Sequence, residues 1–183
     1  MSDKVFTMHY DDEKVIRTIC DPVSDPSSEE MKGLLSEMVQ YLKDSQDDRW
    51  AKRHGVRPGV GLAAPQIGIA QRFFAVYVVV EGQELQYGLI NPVVIRQSAK
   101  QAALTNGEGC LSVEKDRDGY VRRSYRITVK AYDALQGKEI EITQKGYPAI
   151  IFQHELDHLD GHLYYDRIDA LNPWREDPET VII

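Results

Sequence analysis

The sequence predicts an α+β fold, with mostly antiparallel sheets packed around a central buried helix that carries His-Glu-x-x-His. Three observations lead there. The middle of the chain is a run of strand-like segments, "FFAVYVVV" at 73–80, "LQYGLINPVVI" at 85–95, "YRITVKAYD" at 125–133 and "KEIEITQK" at 138–145. These are rich in the β-branched and aromatic residues that fit a pleated, half-buried surface. An amphipathic helical pattern precedes them, and a nearly all-apolar one follows them. No repeat, low-complexity tract or Pro/Ser-rich linker divides the 183 residues, so one domain spanning 1–183 is the expectation.

Taken in order, "SSEEMKGLLSEMVQYL" at 27–42 places Met31, Leu34, Leu35, Met38, Val39 and Leu42 on one helical stripe, with Ser27 and Glu30 as its capping box. The polar run "KDSQDDRWAKRHGVRPG" reads as a solvated helix extension or loop ending at the breakers Gly55 and Pro58. The segment 73–80 is far shorter than the ~20 residues needed to span a bilayer and suits a buried strand. "ALQG" joins the last two strands as a hairpin, with Ile127, Val129 and Ala131 alternating along the first strand and Ile140 and Ile142 along the second. Pro148 then opens "PAIIFQHELDHLDG", whose Ala149, Ile150, Ile151, Phe152 and Leu156 leave little polar face, and Gly161 closes it. The tail "ETVII" is strand-like.

Composition narrows the function classes. Lys and Arg number 22 against 29 Asp and Glu, a formal charge of −7, which argues against binding DNA or an anionic membrane. Residues 1–20 show no secretory signal, so the chain reads as cytoplasmic. With only Cys20 and Cys110, no disulfide framework is expected, and each thiol is either inert filler or a metal ligand.

His154 and His158 stand four apart on the apolar helix. At about 3.6 residues per turn both imidazoles share one face and can reach one cation. Glu155, beside the first, is placed to take a proton from a water that such a cation acidifies. The bland alternative is two histidines bonded to backbone. Against it, two imidazoles with Glu155 and Asp157 in an apolar helix are costly to desolvate without compensation. A catalytic site needs a third protein ligand. The metzincin spacing puts Tyr164 where a histidine belongs, and a downstream Glu176 or Glu179 lies in "NPWREDPETV", where Pro173 and Pro178 oppose a stable helix. Cys110 in "NGEGCLS" is the better candidate, set against the plain reading of a small buried cysteine in a turn.

"GVGLAAPQ" at 59–66, "EGCLS" at 108–112 and "QHELDH" at 153–158 together resemble the three signature motifs of peptide deformylase, in order and over roughly residues 10–170. The resemblance implies that Cys110, His154 and His158 bind one divalent metal. Fe(II) is then the expected physiological ion, and Zn(II), Ni(II) or Co(II) can take its place in preparations. It further implies Glu155 as catalytic acid/base, with Gln66 and the Leu111 N–H receiving the oxyanion. The activity implied is removal of the N-formyl group from N-formylmethionyl peptides, with release of formate. Gly59, Val60 and Gly61 are expected to pair with the peptide as an added strand. Val60, Tyr120, Tyr147, Ile150 and Ile151 are expected around the methionine side chain. Gly59, Gly61 and Ala64 also match a dinucleotide-binding fingerprint, but a helix-like segment precedes them and Pro65 blocks the helix that should follow. Glu108 is expected to pair with Arg123. The longer segment before the glycine motif and the strand-like tail resemble the second bacterial class. Contact with the ribosome is expected by resemblance only. A closed structural site, with His162 as fourth ligand, is the rival from another class.

Overall fold

A computed structural model describes residues 4–183. Its main sheet has five antiparallel strands in the order β1 (Gly61–Ala63), β2 (Phe73–Val80), β3 (Gln83–Gln97), β6 (Arg126–Asp133) and β7 (Lys138–Lys145). A smaller sheet runs β5 (Arg123–Ser124), β4 (Gln101–Ala103), β8 (Thr180–Ile182), and its β4–β8 pair is parallel. The α+β architecture with mostly antiparallel pairing therefore holds, and the tail "ETVII" contributes β8. No helix among the described residues is long and apolar enough to cross a membrane.

β2 shows why an uninterrupted apolar run can be a strand. Phe73, Ala75 and Tyr77 pack into the cluster formed with Met31, Leu35, Met38 and Leu42 of helix α1 (Glu29–Ser45). Phe74, Val76 and Val78 face the other way, into the cluster of Ala149, Phe152, Leu156 and Leu159 from helix α3 (Tyr147–Leu159). Covered on both faces, the strand has no polar side to display. β6 and β7 pair in the expected hairpin. β3 stays in one sheet for 15 residues by register shifts after Ile90 and Val94. At the first shift Asn91 takes φ +50°, and its amide bonds Val23 N–H and C=O at 2.8 and 2.9 Å, stitching the N-terminal arm to the sheet.

Three local expectations are corrected. The α1 cap is Ser28, whose Oγ accepts from Met31 N at 3.3 Å, because Asp25 takes the Ser27 hydroxyl at 2.9 Å. The polar run after α1 holds a separate helix, α2 (Asp48–His54), capped by Asp47 Oδ1 on the N–H groups of Arg49 and Trp50. Trp50 is buried against Tyr41 and anchors that helix to the core. The C-cap of α3 is Asp160 rather than Gly161, which follows it in the left-handed region at φ +73°, where a Cβ would lie 2.6 Å from the Arg17 carbonyl.

Candidate active site

Three pieces of backbone converge: the free edge of β1, the loop from Leu104 to Arg122, and the middle of α3. His154 and His158 are one helical turn apart, ring centroids 5.1 Å from each other. The loop brings Cys110 Sγ to 3.3 Å from His158 Nε2, and one ligand atom from each of Cys110, His154 and His158 lies within 4.8 Å of the others. His162 is not among them; its side chain is 60% exposed, with its ring 3.9 Å from Asp166. Tyr164, at the metzincin ligand position, stacks on His154. Cys20 packs between the sheet and α3, where burial pushes its thiol up to about 11.

The protein atoms fit a divalent cation. His154 Nδ1 bonds Glu108 Oε2 at 2.8 Å, which fixes the ring and leaves Nε2 for the cluster. Burial alone would favour neutral His154, yet the bonds to Cys110 and Glu108 outweigh it and raise its pKa well above the usual value. The pocket therefore attracts positive charge at that position. Burial, then the neighbouring His154, lowers His158 well below its usual value and keeps it neutral, the form that ligates.

Glu108 belongs to a buried ionic chain. Arg123, 2% exposed, donates Nε and Nη2 to Glu108 at 2.6 and 2.9 Å and Nη1 to Asp157 at 2.8 Å. Arg167 closes on Asp157 at 2.7 and 2.6 Å. The expected Glu108–Arg123 pair is thus one link of a chain running from Arg167 to His154, with each internal charge compensated.

Glu155 is 4% exposed, its Oε2 has no partner among the described residues, and burial pushes its pKa up to about 7. It lies so close to β1 that a Cβ on Gly61 would sit 2.2 Å from Glu155 Oε1. The glycine is needed there for the carboxylate as much as for any peptide. Gln66 sits in the 3-10 turn Ala64–Ile67, which Pro65 opens. Its Oε1 accepts from Ala63 N–H at 2.8 Å, so its Nε2 must face Ser112 Oγ at 3.2 Å and Cys110 Sγ at 3.6 Å. Around Cys110 the chain turns, Val113 N–H bonding Cys110 O at 3.2 Å, and Arg57 Nη2 holds the carbonyls of Cys110 and Val113 at 2.5 and 3.0 Å. Among the described residues the Leu111 N–H has no protein acceptor.

A cavity of about 390 Å³ opens over these groups. Gly59, Val60, Gly61, Gln66, Cys110, Leu111, Tyr147, Ile150, Ile151, His154 and Glu155 all line it. Tyr120 does not. Its N–H bonds Pro173 O at 2.8 Å and its ring packs edge-on against Trp174, because the loop turns away from the cavity before reaching it. Arg57, Leu104 and Asp116 also line the cavity and carry no motif that a single sequence reveals. Arg57 was hidden among ordinary loop breakers in "VRPG".

Known proteins resemble this chain in both sequence and fold. The family described as polypeptide deformylase matches residues 5–174. Peptide deformylase 2 of Geobacillus stearothermophilus is 48% identical over 161 residues, 87% of each chain. Peptide deformylase 2 of Bacillus subtilis is 44% identical over 173 residues, 94% of this chain and 93% of its own. The crystal structure of peptide deformylase from Thermotoga maritima superposes with a TM-score of 0.73 at 32% identity, covering 91% of this chain and 99% of that one. A Met-Ala-Ser-bound class I type b peptide deformylase from Acinetobacter baumannii gives 0.72 at 29% identity, with 91% and 100% covered.

Proposed function

The chain belongs to the peptide deformylase family, and from that premise we propose that it hydrolyses the formyl group from the N-terminal formylmethionine of newly made proteins through the residues grouped at this cavity. The reading rests most on one observation: three ligand atoms from Cys110, His154 and His158 within 4.8 Å of one another, beside a buried carboxylate. A divalent ion held by those residues supplies the positive charge that polarises the formyl carbonyl and acidifies a water. One thiolate and two imidazoles suit a borderline ion; Fe(II) is the proposed working ion, with Zn(II), Ni(II) and Co(II) able to take its place.

The protein's own groups do the rest. Glu155 takes the attacking water's proton and passes it to the leaving nitrogen, a role supported by its burial and its raised pKa of about 7. Gln66 Nε2 and the Leu111 N–H donate to the oxygen that gains charge as the water adds. Formate leaves from the carbon side and the peptide from the nitrogen side with a free amine. Val60, Tyr147, Ile150 and Ile151 enclose the methionine side chain, and the Gly59–Gly61 segment pairs with the backbone behind it. Docking on the ribosome is carried by the resemblance alone, and here β8 stands where a basic C-terminal helix would otherwise be.

Two peptides of equal sequence, one formylated and one not, test the reading side by side. Formate is expected from the first only, with neither chain cut internally. Internal cleavage would make the protein an endopeptidase, and metal binding without either product would leave a structural site.

A further inference from the structure

The entry to β1 is held by a side chain rather than by the sheet. One residue before the strand, Tyr77 donates its N–H to the Val60 carbonyl at 3.0 Å, continuing the register Gly61↔Val76. Residues opposed in this way in an antiparallel ladder exchange both bonds, so the Val60 N–H is expected back on the Tyr77 carbonyl. That carbonyl instead accepts from Gln46 Nε2 at 3.0 Å, and the same nitrogen donates to the Gly59 carbonyl at 2.9 Å. The Gly59 N–H goes to Ser45 Oγ at 3.1 Å, and Ser45 is in turn tied to Leu42 O at 2.7 Å. Among the described residues the Val60 N–H has no acceptor, while Val60 lines the cavity. A backbone donor left unpaired in a half-buried place costs free energy unless a ligand completes it.

We propose that Gln46 is a positioning residue: its amide occupies the Tyr77 carbonyl, stops the β1–β2 ladder at a single bond, and keeps the Val60 N–H free to donate to a backbone carbonyl of the bound peptide. The assignment rests on the reading of the cavity as a peptide site. Gln46 is placed for this by the end of α1, where it is the C-cap and its own N–H bonds Lys43 O at 3.3 Å. It lies in the polar run 43–59, so that stretch gains a purpose beyond solvation. A simple tether between α1 and the sheet makes the opposite statement about Val60. Without a tether Val60 loosens, whereas without a ladder stop its N–H closes onto Tyr77.

The experiment is amide hydrogen exchange at Val60, followed by NMR on the substrate-free protein, for wild type and Gln46→Met. Methionine keeps the length and volume of the side chain and removes the donor. Exchange at Val60 is expected to slow at least about tenfold in the variant. KM for a formylated tripeptide is expected to rise about 3–10-fold, the factor one hydrogen bond carries, with kcat and metal content unchanged. Unchanged or faster exchange at Val60, or a loss confined to kcat, overturns the assignment. Gln46→Glu, which also cannot donate, gives the same reading if the first variant does not fold. Because exchange is measured without substrate, an absence of formate release would sink the proposed activity and still leave Gln46 decided.

Discussion

Gly61 and Glu155 act as a pair, since the space a side chain would need at Gly61 is already filled by the Glu155 carboxylate. In Gly61→Ala the new methyl must displace a group whose nearest atom is 2.2 Å away. We expect that variant to fold, to retain metal, and to lose turnover nearly as far as Glu155→Ala, for which general acid/base catalysis sets ~10²–10⁴-fold. Gln66→Ala removes one oxyanion donor and is expected to cost ~10²–10³-fold in kcat with the metal retained, so metal analysis beside kinetics checks all three. A Gln66→Ala enzyme with full turnover would remove the amide from the mechanism. At this scale the sequence was legible wherever chemistry dictates spacing. His154 and His158 follow from the pitch of a helix, and Glu155 from the proton chemistry expected beside the first of them. Tyr120 misled because an aromatic near a motif carries no information about which way its loop turns. Arg57 and Gln46 escaped notice because both act on backbone carbonyls distant in sequence, and such a bond leaves no pattern in either segment.

α3 has to be rigid as well as apolar, because the proposed mechanism places two metal ligands and the acid/base on consecutive turns of it. Phe152 fixes it against the sheet, meeting Phe74 and Tyr87 edge-on at centroid distances of 5.8 and 5.5 Å. Phe152→Ala should therefore lower stability by ~3–5 kcal/mol, read from urea unfolding, while the ionic chain through Asp157 is left in place. A loss below ~1 kcal/mol would mean that the helix is held mainly by that ionic chain. Element types were readable where one period dominates: alternation gave the β6–β7 hairpin, and a two-faced apolar run gave β2. α2 was not readable, because a polar run of seven helical residues is stabilised by one buried indole and one Asp47 cap, features that tertiary packing decides.

At the scale of the whole molecule, residues 173–183 clasp the cysteine loop at both ends. Where the loop leaves β4, Ile183 bonds Ala103 O at 2.9 Å and receives Thr105 N–H at 2.8 Å, beside the parallel β4–β8 pairing. Where it returns toward β5, Pro173 and Trp174 hold Tyr120. Between these anchors the loop carries exposed charged residues from Glu114 to Asp118, and side chains hold it from the cavity side at three points, Arg123 at Glu108, Arg57 at Cys110 and Gln66 at Ser112. The tail thus acts on the proposed metal ligand Cys110 through backbone it never shares with it. Removing residues 178–183 strips β4 of its parallel partner β8 and frees the start of the loop, whereas the five-stranded sheet and the two helical clusters lose none of their own residues. We expect the shortened protein to melt at a lower temperature and to release its metal to a chelator faster than the full chain, with His154 and His158 still in place on α3. Equal melting temperatures and equal release rates would show that the contacts of Arg57, Gln66 and Arg123 are enough to hold Cys110 against the histidines.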